Sequence, residues 1–444
     1  MAKILFIQNT RWELLGIKSI ASYIEPKHQA ELIFGSTDDI LNRCKTFRPD
    51  VVGISVFSID HHWALDIARR IKLFDNNILV LLGGVHPTHY TDILAEDPID
   101  AICIGEGEKP VLDLLDAIES KASYEKIPSL WIKKSGSIFK NSLNTPLKAD
   151  EIPIINTKIY AAFPHIVKER SAIFLCSRGC PFSCFYCGNY GYNKLYKNHY
   201  FRIRKIEAII EEIKNVVHER NISSIKFQDD IFGVDEVWLE EFLREYKEKI
   251  GLPFYCLLRV EYIKERILKM LKKAGCFQVG IGIESGEEFI RNSVLGRRMS
   301  TDLIWHAVKL LKKHKISFHT FNMFGLPSED YKSALKTLSL NLAIKPDVAW
   351  SAIFQPYPGT KFFCDDVKKT MSDTGFNRFE VIFKYSKDFK KIQRLQKLFM
   401  LIIKWPVTKY LLPVLVRLPL DVLYDKISKF CWHYFYHKRI RKNA

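Results

Sequence analysis

No apolar stretch in this 444-residue chain runs unbroken for the ~20 residues a membrane-spanning helix needs. The longest candidate, Leu398–Leu420, is interrupted by Lys404, Pro406, Lys409, Pro413, Arg417 and Pro419. A basic leader with an apolar core and a small-residue cleavage site is also missing, so secretion is not expected and a cytoplasmic location is. The ten cysteines are bunched rather than spread as a disulfide framework, which fits a reducing compartment where thiols serve metals or catalysis. Glycine (21) and proline (18) are too sparse for collagen-like or low-complexity sequence. Acids are in deficit. Against 67 Lys and Arg stand 50 Asp and Glu, and the net charge of +17 implies attraction to something anionic: nucleic acid, a lipid surface, a phosphorylated substrate or an acidic redox partner.

What the chain does have is an ordinary apolar share, 47%, and about three times the ~150 residues of a typical domain. Over residues 1–125 short Val-, Ile- and Leu-rich runs alternate with amphipathic stretches. Lys3–Gln8, Glu31–Phe34, Val51–Val56, Ile78–Gly83 and Ala101–Ile104 read as buried strands, with helices between them and a closing helix at Lys109–Ser120. That alternation predicts a doubly wound parallel sheet, with ligands at the strand C-termini. Residues 126–170 lose the rhythm and read as a connector, with a hairpin turning at Ser135-Gly136. From 171 to 385 the alternation resumes. Six strands are expected at Ala172–Cys176, Ser224–Gln228, Phe254–Leu258, Gln278–Ile283, Ser317–Met323 and Asp347–Phe354, which suggests a closed or partly closed parallel barrel.

Residues 386–444 form a third kind of sequence. From Lys390 onward thirteen Lys and Arg face two acids, Asp421 and Asp425, among Phe, Trp, Tyr and Leu. Trp405, Trp432 and a Tyr434–Tyr436 cluster suit an anionic membrane interface. A helical cap on the barrel and an acidic protein partner are the competing readings. No RNA-reading pattern follows the barrel, so nucleic acid is not expected.

The strongest local signal is CSRGCPFSCFYC, Cys176–Cys187. Cys180, Cys184 and Cys187 form C-x3-C-x2-C directly after the first barrel strand. Three thiolates on a tight loop can hold three irons of a four-iron cluster and leave the fourth open for a substrate. Zinc is the competing metal, but structural zinc usually wants two ligand pairs, and no second cysteine pair lies downstream. Cys176 either supplies a fourth ligand or ends a buried strand as a small apolar residue.

With Tyr186 as the aromatic before the last cysteine, this loop resembles that of the radical S-adenosylmethionine (SAM) superfamily, whose fold is a partial (βα)6 barrel. Phe227–Phe232 (FQDDIF), Leu258–Val260 (LRV), Gly280–Gly286 (GIGIESG), Phe324–Pro327 (FGLP) and Pro356–Thr360 (PYPGT) resemble its later strand ends in order. Upstream, Arg48–Ser55 (RPDVVGIS), Gly83–Pro87 (GGVHP) and Ile104–Glu108 (IGEGE) resemble the Rossmann-like cobalamin-binding domain of one subgroup, which includes C- and P-methylases and ring-forming enzymes. An Asp-x-His-x-x-Gly cobalt-ligand motif is missing, as is usual in that subgroup.

The resemblance implies roles. Cys180, Cys184 and Cys187 would hold a [4Fe-4S] cluster. Asp229 or Asp230 would meet the SAM amino group, although adjacent carboxylates after a strand also serve as helix caps. Arg259 would pair with the SAM carboxylate, since a guanidinium matches it bidentately; a structural salt bridge is the alternative. Glu284 would accept the ribose hydroxyls. In the first domain Ser55, Gly83, Gly84, His86, Gly105 and Glu106 would lie against cobalamin, with bare backbone allowing a flat macrocycle to approach.

The implied enzyme is a cobalamin-dependent radical SAM methyltransferase. A 5′-deoxyadenosyl radical abstracts hydrogen from an unactivated carbon, methylcobalamin donates the methyl group, and a second SAM restores it. The implied partners are a small-molecule or lipid-linked substrate and a low-potential flavodoxin or ferredoxin. Peripheral contact with the inner membrane face through the tail is a further expectation. A non-methylating rearrangement or cyclisation stays open. So does a non-catalytic, membrane-docked binding protein. A methylthiotransferase would want a cysteine trio in the first domain, where only Cys44 and Cys103 occur.

Overall fold

A computed structural model describes residues 1–10, 12–163, 170–365, 367–368 and 388–437. The expected boundary at 385/386 and the basic end of the tail at 438–444 lie outside them. The chain divides into two compact units: one of residues 1–169, 187–220 and 357–377, the other of residues 170–186, 221–356 and 378–444.

Five parallel strands start the first unit, in the order Gln29–Ile33, Lys3–Ile7, Val51–Ser55, Leu79–Gly83, Ala101–Cys103. Their apolar runs are continuous because both faces are covered. Ile4, Phe6, Leu79 and Leu81 enter one core, while Leu5, Ile7, Val80 and Leu82 enter the other, the period-2 alternation of a strand buried twice. Helices Leu15–Ile24, Thr37–Phe47, His61–Phe74 and Glu108–Glu119 form as the sequence pattern expects, within one or two residues. Ser36 starts the second of these through a reciprocal capping box with Asp39, an arrangement worth about 1 kcal/mol.

The sheet is mixed rather than wholly parallel. Hairpin strands Leu130–Lys134 and Ser137–Lys140 add to it antiparallel beside Ala101–Cys103. Ser135 and Gly136 both have positive φ (+51° and +75°), the geometry of a two-residue hairpin turn whose twist matches its strands. Leu130 and Ile132 are buried in the first core, so the hairpin belongs structurally to this sheet.

In the second unit six parallel strands follow one another in spatial order: Ser171–Phe174, Ser224–Phe227, Phe254–Leu258, Cys276–Glu284, Ser317–Phe324 and Val348–Ile353. First and last strands do not pair, so the sheet is an open, curled half-barrel. Helices Glu236–Lys249, Glu265–Ala274, Thr301–Lys313 and Tyr331–Ile344 connect its strands, each with an apolar stripe buried. The helix Phe389–Lys404 is a working part of this unit. Its Ile392, Leu395 and Phe399 share a core with Phe324, Leu338 and Val348.

Candidate functional site

The cysteine loop leaves the first barrel strand with its start fixed from the second. Asp229 Oδ1 accepts from the Cys176 amide (2.9 Å), the Ser177 amide (2.5 Å) and the Ser177 hydroxyl (2.5 Å). Asp229 is fully buried, which pushes its carboxyl up to about 6 against those hydrogen bonds. Its Oδ2 has no hydrogen-bond partner among the described residues, an orphan acceptor of the kind a ligand amino group fills. Asp230, the neighbouring candidate, is exposed. The two adjacent carboxylates are therefore not equivalent.

Along the loop Cys180 and Cys184 are buried and Cys187 is half-buried. Asn189 Nδ2 donates to Cys187 Sγ at 3.7 Å, and Arg259 Nη1 to Cys184 Sγ at 3.3 Å. Arg259 also reaches Glu261 Oε1 (2.5 Å) and the Arg297 carbonyl (3.2 Å), with Phe182 3.8 Å beneath its guanidinium. It therefore stands beside the cluster loop already carrying a structural ion pair. Cys176 is buried two residues past the end of the first barrel strand.

Tyr186 and Glu284 meet. The Tyr186 hydroxyl donates to Glu284 Oε1 at 3.0 Å and accepts from Arg297 Nη1 at 2.6 Å, while Arg297 Nη1 is 3.3 Å from Glu284 Oε1. Glu284 ends the longest barrel strand with φ +66°, a left-handed conformation that costs a residue with a side chain about 1–3 kcal/mol. That turn folds the carboxylate back over Gly282, where a Cβ would stand 2.1 Å from Glu284 Oε1. Burial raises the Glu284 carboxyl and the Arg297 charge holds it down. Arg297 was not anticipated from the sequence; its only signal was the charged pair Arg297-Arg298 shortly after a strand end.

A cavity of about 140 Å³ against the half-barrel strands is lined by Tyr255, His319, Phe321, Trp350 and Trp432. The Tyr255 hydroxyl and His319 Nε2 are hydrogen-bonded at 2.8 Å, and burial pushes the imidazole down to about 3, so it is neutral. Trp432 comes from the C-terminal helix Asp421–Trp432. That contact accords with the reading of the tail as a helical cap on the barrel.

In the first unit the expected cofactor residues fall on one edge. Ser55 and Gly83 end two adjacent parallel strands as register partners, Gly84 follows the second, and Gly105–Glu106 follow the neighbouring third. Nothing lies within 4 Å of a Cβ built on Gly83. Gly84 has φ +98°, with its Cβ position 3.1 Å from the Val56 carbonyl. This bare edge beside the strand-order reversal fits a flat macrocycle. Three residues are engaged locally. His86 is fully buried, its Nδ1 3.0 Å from Ser58 Oγ, and burial lowers it to about 3. Glu106 is ion-paired with Arg202 and accepts from the Leu147 amide at 3.1 Å. Gly105 lies under the Tyr196 hydroxyl, which would be 1.8 Å from a Cβ there.

Comparison with known proteins bears on both units. The radical SAM superfamily profile matches residues 174–340, and the B12 binding domain profile matches residues 9–115. An uncharacterized methyltransferase of Pyrococcus horikoshii is 30% identical over 366 residues, covering 79% of this chain and 77% of the relative. An anaerobic magnesium-protoporphyrin IX monomethyl ester cyclase of Rubrivivax gelatinosus is 25% identical, with coverage of 79% and 66%. Among solved structures, the radical SAM methyltransferase TsrM of Kitasatospora setae, with tryptophan substrate and a SAM analogue bound, shares the fold at TM-score 0.71 and 14% identity, covering 84% of this chain and 77% of that one. Matched profiles, a relative aligned along most of both chains, and a half-barrel whose cysteine loop meets Glu284 agree: the chain is an enzyme of the radical SAM superfamily, of the kind with a B12-binding domain before the barrel, and its cofactors are SAM, a [4Fe-4S] cluster and cobalamin.

Proposed function

We propose that the enzyme methylates an unactivated carbon of a small or lipid-linked molecule. The observation that carries the reading is the Tyr186–Glu284 contact, which ties the cysteine loop to the fourth strand end and supports Glu284 as the acceptor of the ribose hydroxyls. When bound, the cofactors supply the 5′-deoxyadenosyl radical and a methyl group carried on cobalt. The chain's own residues place and shield. Cys180, Cys184 and Cys187 hold the cluster, and Arg259, 3.3 Å from Cys184 Sγ, is the cation that meets the SAM carboxylate. Glu284 accepts the ribose hydroxyls, steadied by Tyr186 and Arg297. Asp229 fixes the loop start and offers Oδ2 to an amino group, with exposed Asp230 as the alternative. Ser55, Gly83, Gly84 and Gly105 give the corrin an edge with little side-chain bulk, flanked by His86 and Glu106.

An acidic flavodoxin or ferredoxin is the electron donor that suits a chain of net charge +17. The basic C-terminal segment is read as meeting the inner face of an anionic membrane; no described helix is long and apolar enough to cross one. Cyclisation is the second reading, favoured by the cyclase relative of Rubrivivax gelatinosus.

The test is anaerobic reconstitution with iron, sulfide and hydroxocobalamin, followed by turnover with SAM bearing a deuterated methyl group. About four irons and one corrin per chain, and a product carrying the deuterated methyl, support the reading. Iron without corrin would sink methyl transfer, and a product of unchanged carbon count would favour cyclisation.

A further inference from the structure

Residues 405–434 expose large apolar side chains on three helical elements, the second and third of which also bury side chains against the unit. Along Pro406–Leu411 and Leu412–Leu415, Val407, Tyr410, Leu411 and Val414 recur at three- and four-residue spacing, with Val407 71%, Tyr410 74% and Val414 59% exposed. On the opposite side Leu412 and Val416 are buried in the core shared with Phe389–Lys404. The helix Asp421–Trp432 repeats the pattern. Tyr424 and Cys431 turn inward, while Val422 (73%) and Phe430 (61%) turn outward with Leu423. An amphipathic surface helix normally shows solvent a polar face. Leu412–Leu415 and Asp421–Trp432 instead expose large apolar side chains as well as burying them.

The two stretches are fixed to each other and to the body of the unit. The Tyr424 hydroxyl donates to the Leu415 carbonyl at 2.8 Å, and Arg394 Nη1 donates to the Val416 carbonyl at 3.0 Å. The charge is one-sided. Lys409, Arg417, Lys426 and Lys429 are exposed among the apolar residues. The two acids, Asp421 and Asp425, are paired with Arg394 (3.1 Å) and Lys397 (3.0 Å) of the underlying helix.

We infer that Trp405–Tyr434 is a lipid-docking face that inserts Val407, Tyr410, Val414, Val422 and Phe430 into a bilayer carrying anionic headgroups, with Lys409, Arg417, Lys426 and Lys429 on the phosphates. This rests on the reading of the C-terminal segment as membrane-facing, and adds the surface and the insertion. Large apolar side chains interleaved with lysine and arginine are what an interfacial helix presents to anionic lipid. A second copy suits the face poorly. A two-fold contact sets the same patch against itself, and its cations would repel. A transient redox partner also fits poorly, because such encounters are small and this surface is dominated by apolar groups.

The test is co-sedimentation of the full chain with vesicles of phosphatidylcholine alone and of phosphatidylcholine mixed with phosphatidylglycerol. Mixed vesicles should be bound at least about tenfold more tightly, with the difference collapsing at high salt. Tyr410→Glu/Val414→Glu and Lys426→Glu/Lys429→Glu should each weaken that binding by at least about tenfold, with circular dichroism unchanged because the altered side chains are exposed. Loss of binding in the lysine variant with full binding in the Tyr410/Val414 variant would overturn the inserted face and leave electrostatic membrane contact standing. No binding to mixed vesicles at low salt would overturn both. A dimer in gel filtration that the Tyr410/Val414 variant splits, without vesicle binding, would assign the face to a second copy.

Discussion

Tyr186 and Glu284 are 98 residues apart in sequence and 3.0 Å apart in space. The aromatic before the last cysteine therefore does more than pack: it fixes the carboxylate that ends the fourth barrel strand. Glu284→Gln removes the charge that would accept two hydroxyls and takes the carboxylate away from Arg297, which keeps the Tyr186 hydroxyl. Hydrogen bonds to charged groups contribute about 1.5–3 kcal/mol, so SAM affinity should fall about tenfold to a hundredfold. Tyr186→Phe keeps the ring and loses the donor, so a smaller loss of about two- to tenfold is expected. Titration of SAM into the reduced protein, followed by paramagnetic resonance of the cluster, measures both. Unchanged affinity in Glu284→Gln at full iron content would remove Glu284 from the site.

Much of this arrangement was legible in the sequence. Hydrophobic period, the positions of Gly and Pro, and motif order placed the strands and the main helices within a few residues, because those signals are local. Long-range pairings were not legible. Nothing near Asp229 says that one oxygen will fix the Cys176–Ser177 backbone while the other stays unpartnered, since the two sides meet only after the strands align in register. Arg297 was invisible for the same reason. Glu284 read correctly as a strand-end carboxylate, but its left-handed backbone did not, since only the fold imposes that strain. His86 and Glu106 show the converse. Their motifs put them at the expected edge, and folding gave them local partners, Ser58 and Arg202.

Among the cysteines, three should behave alike and one should not. Cys180→Ala, Cys184→Ala and Cys187→Ala each remove a thiolate from a three-ligand set, so iron per chain should drop from about four to below one. Cys176 is buried and donates its backbone amide to Asp229. Cys176→Ala should keep its iron and lose about 1 kcal/mol of stability at most, the scale of a small core truncation. Iron analysis after anaerobic reconstitution separates the two cases. Loss of iron in Cys176→Ala would make that thiol a ligand.

Two glycines on the first unit's edge should separate space from strain. A Cβ on Gly83 meets nothing within 4 Å, so Gly83→Leu should unfold at nearly the wild-type temperature. Its side chain would fill the space read here as the corrin's, and hydroxocobalamin uptake should fall at least about tenfold. Gly105 has φ +82° and would place a Cβ 1.8 Å from the Tyr196 hydroxyl. Gly105→Ala should therefore destabilise the apoprotein by about 1–3 kcal/mol before any cofactor is added. Normal corrin uptake by Gly83→Leu would move the binding edge elsewhere.

Acid should destabilise the chain through buried histidines. Burial lowers His86 and His319 to about 3 and His89 to about 4, from the ordinary 6.5. Between about pH 4 and 6.5 the unfolded chain binds protons at these positions and the folded chain does not. The stability they leave intact is therefore full above 6.5 and lost as pH falls. Each such histidine should cost about 2 kcal/mol at pH 5, an unfolding slope of about 1.4 kcal/mol per pH unit. His319→Gln keeps a hydrogen-bonding group near Tyr255 and removes the proton site, so it should flatten the slope by that amount while lowering stability at pH 7.5. Urea unfolding from pH 7.5 to 5 measures it, and an unaltered slope would mean that His319 titrates in the folded state.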